Sequence, residues 1–313
     1  MQASYQKHFP VMLPEVLQNL APRDGEVYVD ATFGNGGYTE AVLRAANCKV
    51  IAIDRDPTVL PRAKELQDIY GTRFEFKQGC FGQISDLIQS SVDGFMFDIG
   101  VSSMQLDQPE RGFSFSKTAP LDMRMSCSGR TAADIVNQTD ERDLADLIYK
   151  YGEERKSRQI ASKIAAYRRN KPIETTTELA EIIYSVLHKT PNSIDPATRT
   201  FQALRIAVNH ELDELENGLK SAVSLLKPQG RIVVVSFHSL EDRIVKNFFR
   251  EQSGNNANVS RYLPQNTVTD SIALTDVSKA ITPSEQELSV NPRSRSAKLR
   301  RAVKTNNEPE RNA

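Results

Sequence analysis

Asp30, Gly34, Gly36 and Gly37 sit together in the stretch Asp30-Ala31-Thr32-Phe33-Gly34-Asn35-Gly36-Gly37-Tyr38, directly after the apolar run Val27-Tyr28-Val29. That order reads as a strand entering a glycine-rich turn, with a carboxylate at the strand's end. Glycines there tolerate positive φ and let a ligand approach the backbone closely. The carboxylate decides which ligand. A pyrophosphate would face a negative side chain, and a dinucleotide fingerprint would want a third glycine where Thr39 stands. A ligand carrying an ammonium and a sulfonium is favoured by the same charge. S-adenosylmethionine (SAM) has both groups. For the glycines alone, an ordinary tight turn is the plain alternative.

Two more acids share the pattern. Lys49-Val50-Ile51-Ala52-Ile53 is a short apolar run ending in Asp54, and the acid at the end of a second strand can accept both ribose hydroxyls of a nucleoside. Its followers, Arg55 and Asp56, suit a solvated strand end. Phe97-Asp98-Ile99-Gly100 closes a fourth apolar run. In an open α/β sheet ligands lie beyond the carboxyl ends of the strands, so Asp98 is expected to face the crevice that holds Gly36 and Asp54. An exocyclic amine on a nucleobase is a poor nucleophile, because its lone pair is delocalised into the ring. A carboxylate accepting its N–H bonds would localise that pair and aim it at a sulfonium methyl, through positioning and electrostatics. The other reading of Asp98 is that it contacts the cofactor or caps the next turn.

These residues need a sheet to hold them. Strand candidates recur at Val27–Asp30, Lys49–Asp54, Arg73–Lys77 and Gly94–Asp98, with helix-compatible segments at Thr39–Ala46 and Pro57–Ile69 between them. A βαβ series of this kind predicts a mostly parallel sheet covered by helices. The next strand, Arg231–Phe237, comes about 130 residues after Asp98, too far for one crossover. The excess reads as a helical insert. Leu144, Leu147, Ile148, Tyr151, Ile160 and Ile164 keep a 3.6 period. Leu179, Ile182, Ile183, Val186 and Leu187 do so behind the capping-box pair Thr175 and Glu178. One long helix is expected from Pro196 to Leu226, stopped by Lys227-Pro228-Gln229-Gly230. From Arg250 to about Pro292 the composition is that of a loose connection with short strands, and residues 306–313 have that of a disordered tail.

Composition is ordinary for a soluble globular chain of 313 residues, 39% hydrophobic and 26% charged. No apolar run approaches the roughly 20 residues of a membrane span. The N-terminus lacks a signal-peptide layout, so the cytosol is the expected compartment. Cys48, Cys80 and Cys127 lack metal-ligand spacing and fit a reducing compartment; no metal is expected. Net charge is zero, but residues 1–110 hold 9 Lys/Arg against 15 Asp/Glu, while residues 111–210 hold 16 against 12. Six bases and no acid lie between Asn291 and Thr305. The acidic part suits a cationic cofactor and the basic parts a polyanion.

Longer strings narrow the reading. Asp98-Ile99-Gly100-Val101-Ser102-Ser103-Met104-Gln105-Leu106-Asp107, Glu110-Arg111-Gly112-Phe113-Ser114-Phe115 and Pro120-Leu121-Asp122-Met123-Arg124-Met125 closely resemble the bacterial ribosomal RNA small subunit methyltransferase H family. So do His8–Leu13, Tyr151–Arg155, Thr198–Ile206, Ser236–Arg243 and Asn291–Ser296, so that the resemblance runs from residue 8 to about 300. It implies a class I SAM-dependent methyltransferase: an α/β, Rossmann-like, mostly parallel sheet with an inserted helical subdomain. The implied activity is transfer of a methyl group from SAM to N4 of one cytidine in the decoding region of 16S rRNA, without a metal. The implied partner is 16S rRNA in the small ribosomal subunit, and a homodimer is among the assembly states left open.

By the same resemblance Gly36, Gly37 and Tyr38 line the methionine end of SAM, Asp54 holds the ribose, Phe81 packs by the adenine, and Asp98 and Gln105 complete the site. Tyr38 stands where the family usually has His, and Met104 where many members have Pro. Arg111, Arg124, Arg199 and Arg205 are phosphate-contact candidates within the insert, with internal salt bridges as the alternative. Arg293, Arg295, Lys298, Arg300 and Arg301 form a second candidate set, a solvated face being the alternative. His8 and His238 are candidates for touching RNA or releasing a proton. Phe113 and Phe115 are core or a stacking platform. The expected division is a methyltransferase domain of residues 1–111 and 209–313 around an RNA-recognition insert of residues 112–208. Methylation of a DNA or other RNA amine remains the enzymatic alternative, and a SAM-sensing or ribosome-assembly binding protein the non-enzymatic one.

Overall fold

A computed structural model describes residues 10–190, 194–255 and 272–306. Two compact units emerge, one of Met1–Gly100 with Leu212–Ala313 and one of Val101–Glu211. The insert therefore begins before residue 112 and ends after residue 208.

The first unit is built on seven strands: β1 Val27–Asp30, β2 Lys49–Asp54, β3 Phe74–Gln78, β4 Val92–Asp98, β5 Leu226–Ser236, β6 Leu274–Thr275 and β7 Lys298–Lys304. Their spatial order is β3-β2-β1-β4-β5-β7-β6. The first five are parallel, whereas β7 runs antiparallel to β5 and to β6. The sheet is thus mostly parallel and Rossmann-like, with the order turning outward in both directions from β1 and β4. That reversal is where such sheets bind ligands.

Both faces are apolar, as a sheet buried on two sides requires. Val29, Ile53, Phe95, Phe97, Ile232 and Val234 point to one face. There they pack with Leu215 and Leu219 of a helix at Glu211–Leu225, and with Phe249 of a helix at Ser239–Gln252. Tyr28, Val50, Ala52, Met96, Val233 and Val235 fill the other face. Their partners there come from α1 (Leu13–Leu20), α2 (Gly37–Ala45) and α3 (Leu60–Tyr70), through Leu20, Val42 and Leu66. Each such side chain contributes roughly 1.5–3 kcal/mol of burial. A single turn, α4 (Ile84–Leu87), precedes β4.

The insert carries α5 (Ser103–Asp107), α6 (Ala132–Gln138), α7 (Glu141–Gly152), α8 (Ser157–Arg168), α9 (Thr176–Tyr184) and α10 (Ala197–Asn209) around a core of its own. Thr175 and Glu178 form the expected capping box at the start of α9. Phe113 belongs to this core, and Phe115 meets Phe201 edge to face at 4.8 Å between ring centres.

Two expectations need correction. The long helix from Pro196 to Leu226 is two helices, α10 and α11 (Glu211–Leu225), separated by His210 at φ 53°. No glycine or proline marks the break. The apolar stripe instead serves two cores, Phe201 and Leu204 in the insert and Leu215 and Leu219 under the sheet. The segment after α12 (Ser239–Gln252) is less loose than its composition implied, since its described part holds β6 and α13 (Glu285–Val290). The basic run near the C-terminus is largely strand β7. Residues 307–313 lie outside the described residues, as does His8. Among the described residues no helix is long and apolar enough to cross a membrane.

Candidate active site

Three adjacent parallel strands bring the acids together. Asp30, at the end of β1, pairs with Ala52 of β2 and Met96 of β4. Asp54 and Asp98 lie two residues further along those strands, hence on the same face by the period of two. Asp30 is fully buried; its Oδ2 accepts from Thr39 Oγ1 at 2.7 Å and its Oδ1 from Thr32 N at 3.2 Å. Burial, with Asp54 adding to it, raises the Asp30 carboxyl to about 6. Thr39 occupies the position a dinucleotide fingerprint would give to glycine, and it serves this acid. Asp54 accepts from Gly34 N at 2.7 Å and Asp56 N at 2.9 Å, which ties the glycine turn to the end of β2. Burial raises its carboxyl as well. Asp56 is buried rather than solvated, because it caps the turn after β2 by accepting from Thr58 N at 3.0 Å.

Asp98 is the least satisfied of the three. Its backbone N–H donates to Thr32 Oγ1 at 2.7 Å, but its Oδ1 is sealed from solvent and meets no hydrogen-bond partner among the described residues. Burial, then the neighbouring Asp30 and Glu241, push its carboxyl well above the ordinary carboxylate range. An unpartnered buried oxygen beside two further acids marks a place short of positive charge and of a donor. A cationic ligand supplies the first and an amine the second, so the residues present fit SAM and a nucleobase amine.

Glu241 was not singled out from sequence. It follows β5 at capping-box spacing from His238: Glu241 Oε2 accepts from Phe237 N at 2.8 Å and His238 N at 3.2 Å. His238 Nδ1 accepts from Glu241 N at 3.4 Å, and its Nε2 lies 3.0 Å from Glu241 Oε1. His238, a candidate for RNA contact, is therefore the N-cap of α12. The spacing of His238 and Glu241 was the available signal.

The glycine turn is shaped by packing as much as by any ligand. Gly36 sits at φ 73°, before α2, and a Cβ there would come within 2.8 Å of the Phe33 ring. A Cβ on Gly37 would lie 2.2 Å from Pro10 Cγ. Tyr38 is a correction at side-chain level. It is buried in the core and its hydroxyl donates to the Val11 carbonyl, so only its backbone is left to face a ligand. Phe81, half-buried after β3, meets Phe97 edge to face at 5.9 Å. Gln105 belongs to the insert, where its Oε1 accepts from Ser102 N at 3.0 Å in the capping box of α5.

The arginine candidates divide sharply. Arg111 is buried, with Nη2 donating to the Arg124 and Met125 carbonyls at 2.9 and 3.0 Å. Arg205 makes two 2.8 Å bonds to the Glu211 carboxylate. Arg124 holds Asp122 through Nε at 2.9 Å and Nη2 at 2.6 Å. These three brace the insert internally, as their alternative reading had it. Arg199 is more exposed, 3.8 Å from Glu154. In the C-terminal run, Arg293 and Arg295 are exposed, but Arg300 is buried on Asp242 at 2.7 Å, Lys298 reaches the same acid at 3.2 Å, and Arg301 pairs with Asp276 at 2.6 Å. The acids absent from the sequence around these bases come from elsewhere in the fold.

The family model described as the MraW methylase family matches residues 5–305. The chain is 54% identical to the ribosomal RNA small subunit methyltransferase H of Paramagnetospirillum magneticum, over 96% of this chain and 97% of that one. It is 52% identical to the protein of the same name from Rhodospirillum rubrum, covering 95% and 94%, and 51% identical to that of Rickettsia massiliae, covering 95% and 98%. With acids gathered for a cationic ligand and a family match along nearly its whole length, the chain belongs to the MraW methylase family and is a SAM-dependent methyltransferase.

Proposed function

We propose that the protein methylates the exocyclic N4 amine of a cytidine in the decoding region of 16S rRNA, acting on the small ribosomal subunit in the cytoplasm. The relatives' shared name supports the rRNA substrate. The observation that carries the reaction type is the unpartnered Oδ1 of Asp98 at the end of β4.

SAM supplies a methyl group on a cationic sulfur. Asp54, at the end of β2, accepts the ribose hydroxyls. The backbone of Gly36, Gly37 and Tyr38 serves the methionine end, Phe81 flanks the adenine, and the family pattern adds Gln105. Asp30 contributes negative charge beneath the turn. Asp98 accepts an N–H of the cytosine amine. That keeps the nitrogen lone pair out of the ring and aimed at the methyl carbon, while the carboxylate offsets positive charge growing on nitrogen. As nitrogen bonds to the methyl carbon, the carbon–sulfur bond breaks and its electron pair stays on sulfur as a neutral thioether; the nitrogen then gives up one proton, which the Asp98 carboxylate accepts.

Labelled SAM offered with small subunits, free 16S RNA and DNA, followed by nucleoside mass spectrometry, tests the reading. N4-methylcytidine in the RNA is expected. Label in DNA alone would transfer the same site chemistry to another polymer. SAM binding without transfer to any of them would make the chain a binding protein.

A further inference from the structure

We infer that the exposed face of α8 is the surface on which the inserted unit grips the phosphate backbone of the RNA substrate. This rests on the RNA reading above and names the docking residues that reading lacks, now that Arg111, Arg124 and Arg205 are engaged inside the insert.

Between Glu154 and Glu174 the sequence holds seven Lys/Arg residues and no acid. Helix α8 lies in this stretch, with Ile160, Ala161, Ile164 and Ala165 buried in the insert's core. At 100° per residue the side away from that core is centred on Gln159, Ser162 and Ala166, with Arg158 and Arg169 along one edge, Lys163 along the other, and Arg155 and Lys156 leading into the helix. The five cations Arg155, Lys156, Arg158, Lys163 and Arg169 are all exposed, and none forms an ion pair among the described residues. The two remaining bases differ: Arg168 donates to the Val136 carbonyl at 2.6 Å, and Lys171 pairs with Glu178 at 2.5 Å.

A helix face that is merely solvated mixes both signs. Helix α7, packed against α8, does so: Glu141, Arg142, Asp143, Asp146 and Lys150 share its exposed positions. Single-sign charge confined to one of two neighbouring helices sets up like-charge repulsion that no ion pair among the described residues relieves, and a polyanion would. Arg158 and Arg169 stand about 16 Å apart along the axis, at 1.5 Å per residue, so the face spans several phosphates of a strand. With Ser162 and Gln159 as the other polar groups, it suits backbone contact rather than base reading.

The test is a triple variant, Arg158→Ser, Lys163→Ser and Arg169→Ser, in the full-length chain. All three side chains are exposed, so thermal unfolding should match the parent. Binding to small subunits and to free 16S RNA is measured across a salt series, beside calorimetry with SAM. The expected result is a salt slope flattened by about 0.7 to 0.9 for each phosphate no longer neutralised, near 100-fold weaker RNA binding at 0.1 M salt, and unchanged SAM affinity. Arg142→Ser on α7 should leave all three readings in place. An unchanged slope in a triple variant, while the parent still methylates rRNA, would overturn the α8 surface and leave the proposed function standing. Weakened binding to subunits but not to free RNA would also overturn it, by assigning the face to a ribosomal protein. A parent that transfers no methyl group to rRNA would instead remove the reading on which the surface rests.

Discussion

Each of the three carboxylates has its own measurable signature. If Asp98 orients the amine, Asp98→Asn should lower turnover far more than it weakens SAM binding, because the amide keeps one acceptor but loses the charge. Equal losses in both would reassign Asp98 to the cofactor alone. Asp54→Ala should cost SAM about 2 kcal/mol of binding, from a pair of charge-assisted hydrogen bonds, with calorimetry as the check. Asp30 is tested through stability. Its folded carboxyl sits at about 6 against the usual 3.8, so the folded state holds the proton more tightly. Stability therefore falls as pH rises from 3.8 to 6 and stays lower above it. Asp30→Asn removes that burden and should stabilise the apo protein at pH 8, by at most about 3 kcal/mol, with no gain below pH 4. Denaturant titrations at the two pH values decide. Under the proposed function the same variant should also bind SAM less well, since a buried negative charge favours a cationic ligand.

Among the elements, the strands were legible because continuous apolar runs ended in acids. The glycine turn was legible from its residue types alone, and Phe33 and Pro10 crowd the places a Cβ would take at Gly36 and Gly37. The side chain of Tyr38 was not. The family resemblance put this residue beside the ligand, whereas folding placed its side chain under Val11, a contact 27 residues away in sequence that no local pattern records. Pro10 presses on Gly37, Tyr38 holds Val11, and Met12 N donates to Glu287 Oε1 at 3.3 Å. Together these contacts fasten the segment before α1 across the turn. Tyr38→Phe should loosen that segment, raising the KM for SAM severalfold with kcat nearly unchanged, as expected for one hydrogen bond worth about 1 kcal/mol. Faster amide exchange in residues 11–12 would accompany it. Strand β7 was illegible for another reason: in Lys298-Leu299-Arg300-Arg301-Ala302-Val303-Lys304, buried Leu299 and Ala302 are hidden among cations whose acids lie 25 to 58 residues away.

For the molecule as a whole, charge has two separate uses that composition alone merges. Residues 1–110 are acidic and hold Asp30, Asp54 and Asp98, and the insert is basic, with cations on one helix that form no ion pair among the described residues. The C-terminal cations divide between the two uses. Burial alone would raise the Asp242 carboxyl, but Arg300 and Lys298 outweigh it and hold the group below the usual carboxylate range. This pairing favours the fold at neutral pH and fades on acidification through the lowered value. Removing one partner from a buried pair leaves the other charge stranded. Arg300→Ser should therefore cost about 2–4 kcal/mol of stability at pH 7, moderated by Lys298, and less at pH 3, where Asp242 is becoming protonated. Arg293→Ser with Arg295→Ser, both exposed, should leave stability within about 0.5 kcal/mol. If these two meet phosphate, that double variant alone should flatten the salt dependence of subunit binding. Denaturation and a salt series on the two variants separate the uses. A stable Arg300→Ser protein with a flattened salt slope would return that arginine to the RNA and make β7, not α8, the first place to look for the docking surface.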